Sequence, residues 1–329
     1  DPAETQLAAK MSSTQTYLLK RIGGAMLTLL AVSIVAFAIT RIIPGNPGVA
    51  ILGQRATPEV VERINKDFGL DRPLMAQYWS WLTSFSRGDL GHSLASVGTG
   101  EYTGGEAISS IVLRGLKVTI PVTAFGMIVG LALGVTMGAV AAARKGRLSD
   151  HAVSVASLGG ISTPDFFVAF LLLLVFAVRL QWLPSVGFTS FGKDPVQWLR
   201  TLALPSLAVG LINSAAISRV TRSAVIDALE TDYVFVARSR GAPGFVVVVK
   251  HALRTSMMPI ATLAGLQLGY LLGGVVVIEN MFALPGMGRS LLLAVNQRDY
   301  PTIQALIVVF AAAFILVNLV VDLAYPIMD

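Results

Sequence analysis

The sequence predicts an all-α integral membrane protein with six transmembrane helices and an extracytoplasmic insertion between the first two. Hydrophobic residues make up 54% of the 329 residues and charged residues only 13%, whereas soluble domains carry about 25% charged residues. The apolar residues are gathered into six runs of about 20 residues or more, the length that crosses a bilayer as a helix. Polar or basic segments separate these runs.

The first apolar run covers residues 17–43 and follows a 16-residue tail, with two basic residues at its start. A cleaved signal peptide is the competing interpretation, but this run is too long for one and lacks a small-residue cleavage site. Pro164 and Pro205 lie inside the third and fourth runs and are predicted to interrupt both helices. The five later runs are 118–143, 152–178, 202–220, 257–282 and 302–325.

Basic residues set the predicted orientation of the spans. The segments on one side carry twelve Lys and Arg residues, against four in the short loops opposite. Because cytoplasmic loops are enriched in these residues, both termini are predicted to be cytoplasmic, with 1–16 as an N-terminal tail. Residues 44–117 are then the extracytoplasmic insertion, and residues 118–329 form a core of five helices.

The insertion has two helix-like segments, 57–70 and 73–91, followed by a loop at 98–105. Its aromatic residues are typical of a bilayer interface. A surface near which a partner docks and a passive spacer on the membrane are both open interpretations. The aromatic residues are Tyr78, Trp79, Trp81 and Phe85.

Composition and motifs exclude several classes of function. The Lys and Arg residues lie between apolar runs instead of forming one stripe, which argues against nucleic-acid binding. The chain has no cysteine, and its three histidines lack metal-ligand spacing. The sequence contains no phosphate-binding Gly-x-x-x-x-Gly-Lys-Ser/Thr loop, Gly-x-Ser-x-Gly elbow or His-Glu-x-x-His motif. We therefore expect no enzyme activity, catalytic residue, metal site or cofactor in this chain.

Residues 231–241 predict a short surface helix between two membrane spans. Thr231 and Asp232 can cap its start, and Gly241 can adopt the left-handed conformation that ends a helix. A helix of about ten residues covers only about 15 Å, half of what a bilayer span needs. The residues of this helix that are candidates for function are Asp232, Tyr233, Phe235, Val236, Ala237, Arg238, Arg240 and Gly241.

The segment TDYVFVARSRGAPGFVVVVKHALRTSMMP (231–259) resembles the cytoplasmic loop of ABC-importer permeases, in the version of the dipeptide/oligopeptide/nickel group. The resemblance continues through GLQLGYLLGGVVVIENMFALPGMGRSLLLAVNQRDYP (265–301) and NLVVDLAYPIMD (318–329). It includes YLLKRIGGAMLTLLAVSIVAFAITRIIPGNP (17–47), so it covers nearly the whole chain. Phe235, Val236 and Ala237 stand where the general pattern has Glu-Ala-Ala, as in the peptide-type permeases of the first-permease kind.

The resemblance implies a type I ABC importer permease in the bacterial inner membrane, forming half of a path for peptides or related solutes. In that family the 231–241 helix is the coupling helix, which docks in a cleft of the ATP-hydrolysing subunit. The implied partners are a second related permease, two ATPase subunits that bind ATP and Mg, and an extracytoplasmic substrate-binding protein. A stand-alone secondary carrier or channel and a membrane scaffold are the alternatives. The substrate stays open between peptides, glutathione and nickel chelates.

Polar residues inside the spans are candidates for the translocation path. Asp165 follows Pro164 at about mid-membrane depth, where a carboxylate is costly and faces a partner or a water-filled cavity. It either meets the ammonium group of a passing peptide or forms a structural ion pair or cap at the helix break. Asn213 and Gln267 are lesser candidates, and Glu279, near a span end, is expected to be solvated or paired.

Two spans carry glycines at every fourth residue, which lets helix backbones approach closely. Such a row forms either a sliding seam of a moving transporter or a static packing face. The second span has Gly126, Gly130, Gly134 and Gly138, and the fifth has Gly265, Gly269 and Gly273.

Overall fold

The computed structural model describes residues 2–42, 58, 59, 62, 66, 69, 71–94 and 105–328. Within these residues the chain is helical, and its only extended pairing is an isolated bridge between His92 and Ala107. The helices are α1 (Pro2–Ile42), α2 (Leu74–Ser86), α3 (Ile108–Ala143), α4 (Leu148–Ser162), α5 (Asp165–Leu172), α6 (Pro195–Leu229), α7 (Asp232–Ser239), α8 (Met257–Met281), α9 (Met287–Gln297) and α10 (Tyr300–Met328). A π-helical segment, Leu173–Arg179, continues α5, and a second, Val247–Ala252, lies between the short turns Gly244–Val246 and Leu253–Thr255.

Several of these helices are long and apolar enough to cross a membrane. The described part of the chain holds four such helices, or up to six spans if each of two bent pairs counts as one. One pair bends by 106° between α4 and α5, and the other bends by 52° within α8. The four single helices are Lys20–Arg41, Ile108–Ala143, Pro195–Leu229 and Tyr300–Asp322.

The helix bounds differ from the sequence prediction in informative ways. α3 begins at Ile108, so the predicted boundary at 117 falls within this helix. Pro164 lies at the break between α4 and α5, as expected. The predicted interruption at Pro205 is wrong, because α6 runs through it without a break. Proline is tolerated in apolar helices where neighbouring groups satisfy the freed carbonyl.

Two predicted elements of the insertion fall largely outside the described residues. These are the helix at 57–70 and the loop at 98–105. The helix predicted within 73–91 is α2, Leu74–Ser86. α9 has no counterpart among the predicted elements, because its apolar residues form a stripe too short to indicate a membrane span.

The described residues divide into two compact units. The first comprises Asp1–Val112 and Leu291–Leu319, and the second comprises Leu113–Ser290 and Val320–Asp329. In the first unit the ring of Phe37 on α1 packs edge-on against Tyr78 of α2, with 5.4 Å between centroids. A hydrogen bond of 2.9 Å joins the Ser33 and Tyr78 hydroxyls. Tyr78 is therefore a buried packing residue instead of a free interface aromatic.

In the second unit α6 lies against α3 along the predicted glycine row. A Cβ added at Gly134 would lie 2.7 Å from the Ile217 Cβ and 2.8 Å from the Ser214 carbonyl oxygen. α3 and α6 therefore approach so closely that side chains on this face of α3 would collide with α6. All four glycines of the row, Gly126, Gly130, Gly134 and Gly138, face α6 in this way.

The glycines of α8 do not form one such row. A Cβ at Gly265 would lie 2.6 Å from Val321 of α10, so this position is closely packed. Gly269 is also buried. Gly273 is exposed, and nothing in the described residues lies within 4 Å of an added Cβ there.

Candidate docking helix and polar cavity

α7 follows directly after α6 and has a well-defined end. Gly241 has φ +81°, the left-handed conformation predicted for it, and its N–H donates to the Arg238 carbonyl at 2.9 Å. Thr231 occupies the N-cap position of α7 as predicted, but its side chain makes no capping hydrogen bond, and its hydroxyl instead donates to the Ala228 carbonyl at 2.7 Å. The Thr231 hydroxyl thus satisfies a carbonyl at the C-terminal end of α6. Asp232 provides a negative charge in the first turn of α7.

Most of α7 faces outward from the second unit. Val234 is fully buried, whereas Tyr233, Phe235 and Val236 are 60%, 69% and 48% exposed. Ala237 is half-buried. Exposed apolar side chains that are grouped together and flanked by charges are typical of a surface that contacts another protein. The flanking charged residues Asp232, Arg238 and Arg240 are all exposed, as is Gly241.

Two contacts anchor the start of α7. The Tyr233 hydroxyl and His251 Nδ1 are 2.8 Å apart, which joins α7 to the π-helical segment Val247–Ala252. Their rings are 5.3 Å apart and packed edge-on. Just before α7, Lys145 forms an ion pair with Glu230 at 2.9 Å, and both side chains are more than half exposed.

A partly buried ion pair connects α4 to the carboxyl half of α6. Arg222 donates to both carboxylate oxygens of Asp150, at 2.5 Å and 2.8 Å. The Asp150 carboxylate also accepts the Gly146 N–H at 2.9 Å, so it fixes the turn between α3 and α4. Sequence reasoning missed this pair, because Asp150 and Arg222 are 72 residues apart and neither belongs to a local motif.

The predicted path residues Asp165, Asn213 and Gln267 line one small cavity in the second unit, with a volume of about 60 Å³. The Asn213 side-chain amide donates to the Val209 carbonyl at 2.7 Å, which leaves its oxygen available to the cavity. Asp165 is half-buried and makes no hydrogen bond or ion pair with another described residue. Pro164, at the break before α5, is exposed and does not line the cavity.

Glu279 near the end of α8 is fully buried, so of the two expectations for it, solvated or paired, the structure supports the second. Its carboxylate accepts the Thr119 hydroxyl at 2.5 Å and the Arg289 N–H at 3.0 Å. A Cβ at Gly286 would collide with this carboxylate, so only glycine lets the loop after α8 fold over it. Within the described part of the chain, no group of three or more His, Cys, Asp or Glu side chains is placed to hold a metal ion.

Comparison with known proteins matches nearly the whole chain to transport permeases. Residues 134–329 match the family model described as binding-protein-dependent transport system inner membrane component. Residues 14–123 match the model for the N-terminal part of binding-protein-dependent transport system membrane components.

Individual relatives agree with the family models. A putative peptide transport system permease protein of Brucella abortus is 35% identical over 312 residues, covering 95% of this chain and 97% of the relative. The glutathione transport system permease protein GsiC of Escherichia coli K12 is 39% identical over 309 residues, covering 94% of this chain and 96% of the relative. The chain therefore belongs to the family of binding-protein-dependent transport system inner membrane components, and it is the permease subunit of an ABC importer of the peptide/nickel group.

Proposed function

We propose that this permease forms half of a solute path and is driven through α7 by ATP-hydrolysing subunits. The observation that carries the proposal is the exposure of Tyr233, Phe235 and Val236 on a short helix between two candidate spans. A helix that is exposed on most of its surface and anchored at its start is suited to transmit the movement of a partner.

The proposed topology has six spans, with both termini in the cytoplasm of a bacterial cell and the insertion outside its inner membrane. The distribution of Lys and Arg supports this orientation. The proposed partners are a second related permease, two ATP-binding cassette subunits and an extracytoplasmic substrate-binding protein. ATP and Mg bind to the ATPase subunits, and this chain contributes no cofactor.

The proposed substrates are di- or oligopeptides or related solutes such as glutathione. Relatives whose names state peptide and glutathione transport support this class. Asp165, Asn213 and Gln267 line one cavity, and they provide a carboxylate and two amides. A carboxylate attracts the ammonium group of a peptide, and amides can bond to its backbone.

The proposed mechanism is alternating access. When ATP closes the ATPase subunits, their cleft moves α7, and α6 carries the movement to Asn213 in the cavity. ATP shifts the equilibrium only by the difference in the contacts that the two states of the ATPase make with α7. The contacts that differ must therefore be sought at the exposed side chains of α7.

The test is to measure solute uptake and ATP hydrolysis in proteoliposomes that contain the complete complex with Phe235→Ala or Arg238→Glu. We expect uptake to fall by about tenfold or more, because truncating a hot-spot residue at the centre of an interface costs about 2 kcal/mol or more. Leu148→Ala is the matched control, since Leu148 is 85% exposed in the same unit but lies outside α7. Uptake and ATP hydrolysis at normal rates in both α7 variants would refute the docking role.

A further inference from the structure

The first unit contains a cavity of about 330 Å³ that the transport mechanism does not use. Its walls come from the end of α1, one side of α2, the segment 89–94 and the start of α10. This volume lies within the range of small-molecule binding sites, roughly 300–1,000 Å³. We propose that the cavity binds the phosphate headgroup of an anionic phospholipid.

The charges that line the cavity favour an anion. Arg41 and Arg72 both line it, and Asp89 is the acidic residue among the described lining residues. The Asp89 carboxylate accepts the Gly91 N–H at 3.0 Å, so part of its charge is already satisfied. His92, the remaining titratable side chain apart from a tyrosine, adds a further potential donor.

Arg41 brings to the cavity wall a guanidinium whose hydrogen-bonding capacity is not fully used by the described residues. Its Nε is buried and makes no hydrogen bond with any described residue. Its guanidinium lies over the Phe37 ring, 5.0 Å from the centroid, which holds the side chain at the wall of the cavity. A buried N–H without a partner is costly, and a phosphate oxygen is a strong acceptor for a guanidinium.

The position of the cavity along the chain favours a lipid over a dissolved anion. The apolar span Lys20–Arg41 ends at Arg41, and the span Tyr300–Asp322 begins at Tyr300. Both end residues line the cavity, so the cavity lies at the level where these helices leave the bilayer. Phospholipid phosphates lie at this level, and Trp81 and Tyr300 in the lining are typical of it.

α2 supplies the apolar surface that lipid tails require. Leu74, Met75 and Trp79 of this helix are 58%, 71% and 57% exposed. The same helix contributes Gln77 and Trp81 to the cavity. These exposed apolar side chains can contact the acyl chains of a lipid whose headgroup occupies the cavity.

The acidic Asp299 does not oppose this assignment. It lies immediately before Tyr300, and its carboxylate accepts the Ser93 hydroxyl at 2.5 Å, the Leu94 N–H at 3.0 Å and the Thr302 hydroxyl at 2.7 Å. Asp299 is 1% exposed and does not line the cavity. Its hydrogen bonds hold the cavity wall in place.

The test uses the full chain, purified in a mild neutral detergent with the subunits that accompany it. Lipid binding is measured by native mass spectrometry and by the shift in thermal unfolding on addition of phosphatidylglycerol, with phosphatidylcholine as the neutral comparison. We expect phosphatidylglycerol to bind and to stabilise the wild type. The Arg41→Gln and Arg72→Gln variants are expected to bind it about tenfold more weakly or worse, since each loses a charged hydrogen-bond donor.

Arg200→Gln is the matched control, because Arg200 is an exposed cation outside the cavity. It is expected to bind phosphatidylglycerol like the wild type. Equal binding by Arg41→Gln, Arg72→Gln and the wild type would overturn the proposal. An equal shift with inorganic phosphate would also overturn it, because the site would then take a dissolved anion. The measurement needs neither ATP nor substrate, so its failure is distinct from failure of the proposed transport function.

Discussion

Replacing Gly138 of α3 by alanine is expected to destabilise the protein by about 1–3 kcal/mol relative to a matched glycine-to-alanine change, the usual cost of overpacking. The added Cβ would lie 2.5 Å from the Ser218 carbonyl oxygen and 3.0 Å from the Arg222 N. Both are backbone atoms of α6, so a side-chain rotation cannot relieve the collision. The helices must separate locally, and the packing around the Asp150–Arg222 pair must loosen.

Two further alanine variants make the expectation quantitative. Gly130→Ala brings a Cβ to 3.2 Å from both the Asn213 Cβ and the Gly210 carbonyl oxygen, which is a milder contact. Gly159→Ala in α4 meets nothing within 4 Å. Each variant gains about 1 kcal/mol of helix propensity over glycine, so this term cancels when the variants are compared. We therefore expect stability to fall in the order Gly159→Ala, Gly130→Ala, Gly138→Ala.

The assay is reversible unfolding of the detergent-solubilised protein, followed by circular dichroism as a denaturing detergent is added. Equal stability of Gly138→Ala and Gly159→Ala would refute the close approach of α3 and α6. Uptake measurements then separate the two interpretations of the glycine row. A static packing face predicts that any folded variant transports normally, whereas a sliding seam predicts that folded Gly138→Ala loses uptake.

Two predictions concern the half-buried carboxylate of Asp165 and the buried one of Glu279. Asp165→Asn is expected to raise the KM for a peptide with a free amino terminus by about tenfold, because a charged contact is lost. The KM for the N-acetylated form of the same peptide is expected to stay unchanged. Equal changes for both peptides would contradict an ammonium contact. Glu279→Gln is expected to destabilise the protein by about 1–3 kcal/mol, because an amide NH₂ would replace an acceptor of the Thr119 and Arg289 donors. Wild-type stability of Glu279→Gln in the unfolding assay would contradict that role. Thr119→Val removes one donor to the carboxylate and also the acceptor of the Met287 N–H, so it tests the same network from the other side.

Local signals in the sequence predicted the features that depend on one residue's own backbone or on a long apolar run. Gly241 is an example, because glycine adopts a positive φ at little cost and the left-handed end of a helix needs one. Pro164 is another, since the break between α4 and α5 lies where proline removes a backbone donor. The all-helical character follows from the runs themselves.

Features that depend on tertiary contacts could not be predicted in the same way. Glu279 stands near a span end, where solvation is the ordinary expectation, and only the fold of the following loop buries it. Pro205 also lies inside an apolar run, yet the helix around it continues, and the sequence alone does not distinguish it from Pro164. The shared cavity of Asp165, Asn213 and Gln267 likewise required three separate helices to meet.

The unbroken course of α6 has a mechanical consequence. From Asn213 to Leu229 the helix rises through 16 residue steps, or about 24 Å at 1.5 Å per residue, without a hinge. A continuous helix of this length has no internal hinge at which a movement of one end could be absorbed. In the proposed mechanism, α7 can move relative to α6 only at Glu230 and Thr231, the two residues between them, and the exposed Lys145–Glu230 ion pair links this connection to the turn after α3. In the proposed mechanism, a change that loosens these two residues would therefore weaken the coupling between α7 and the cavity.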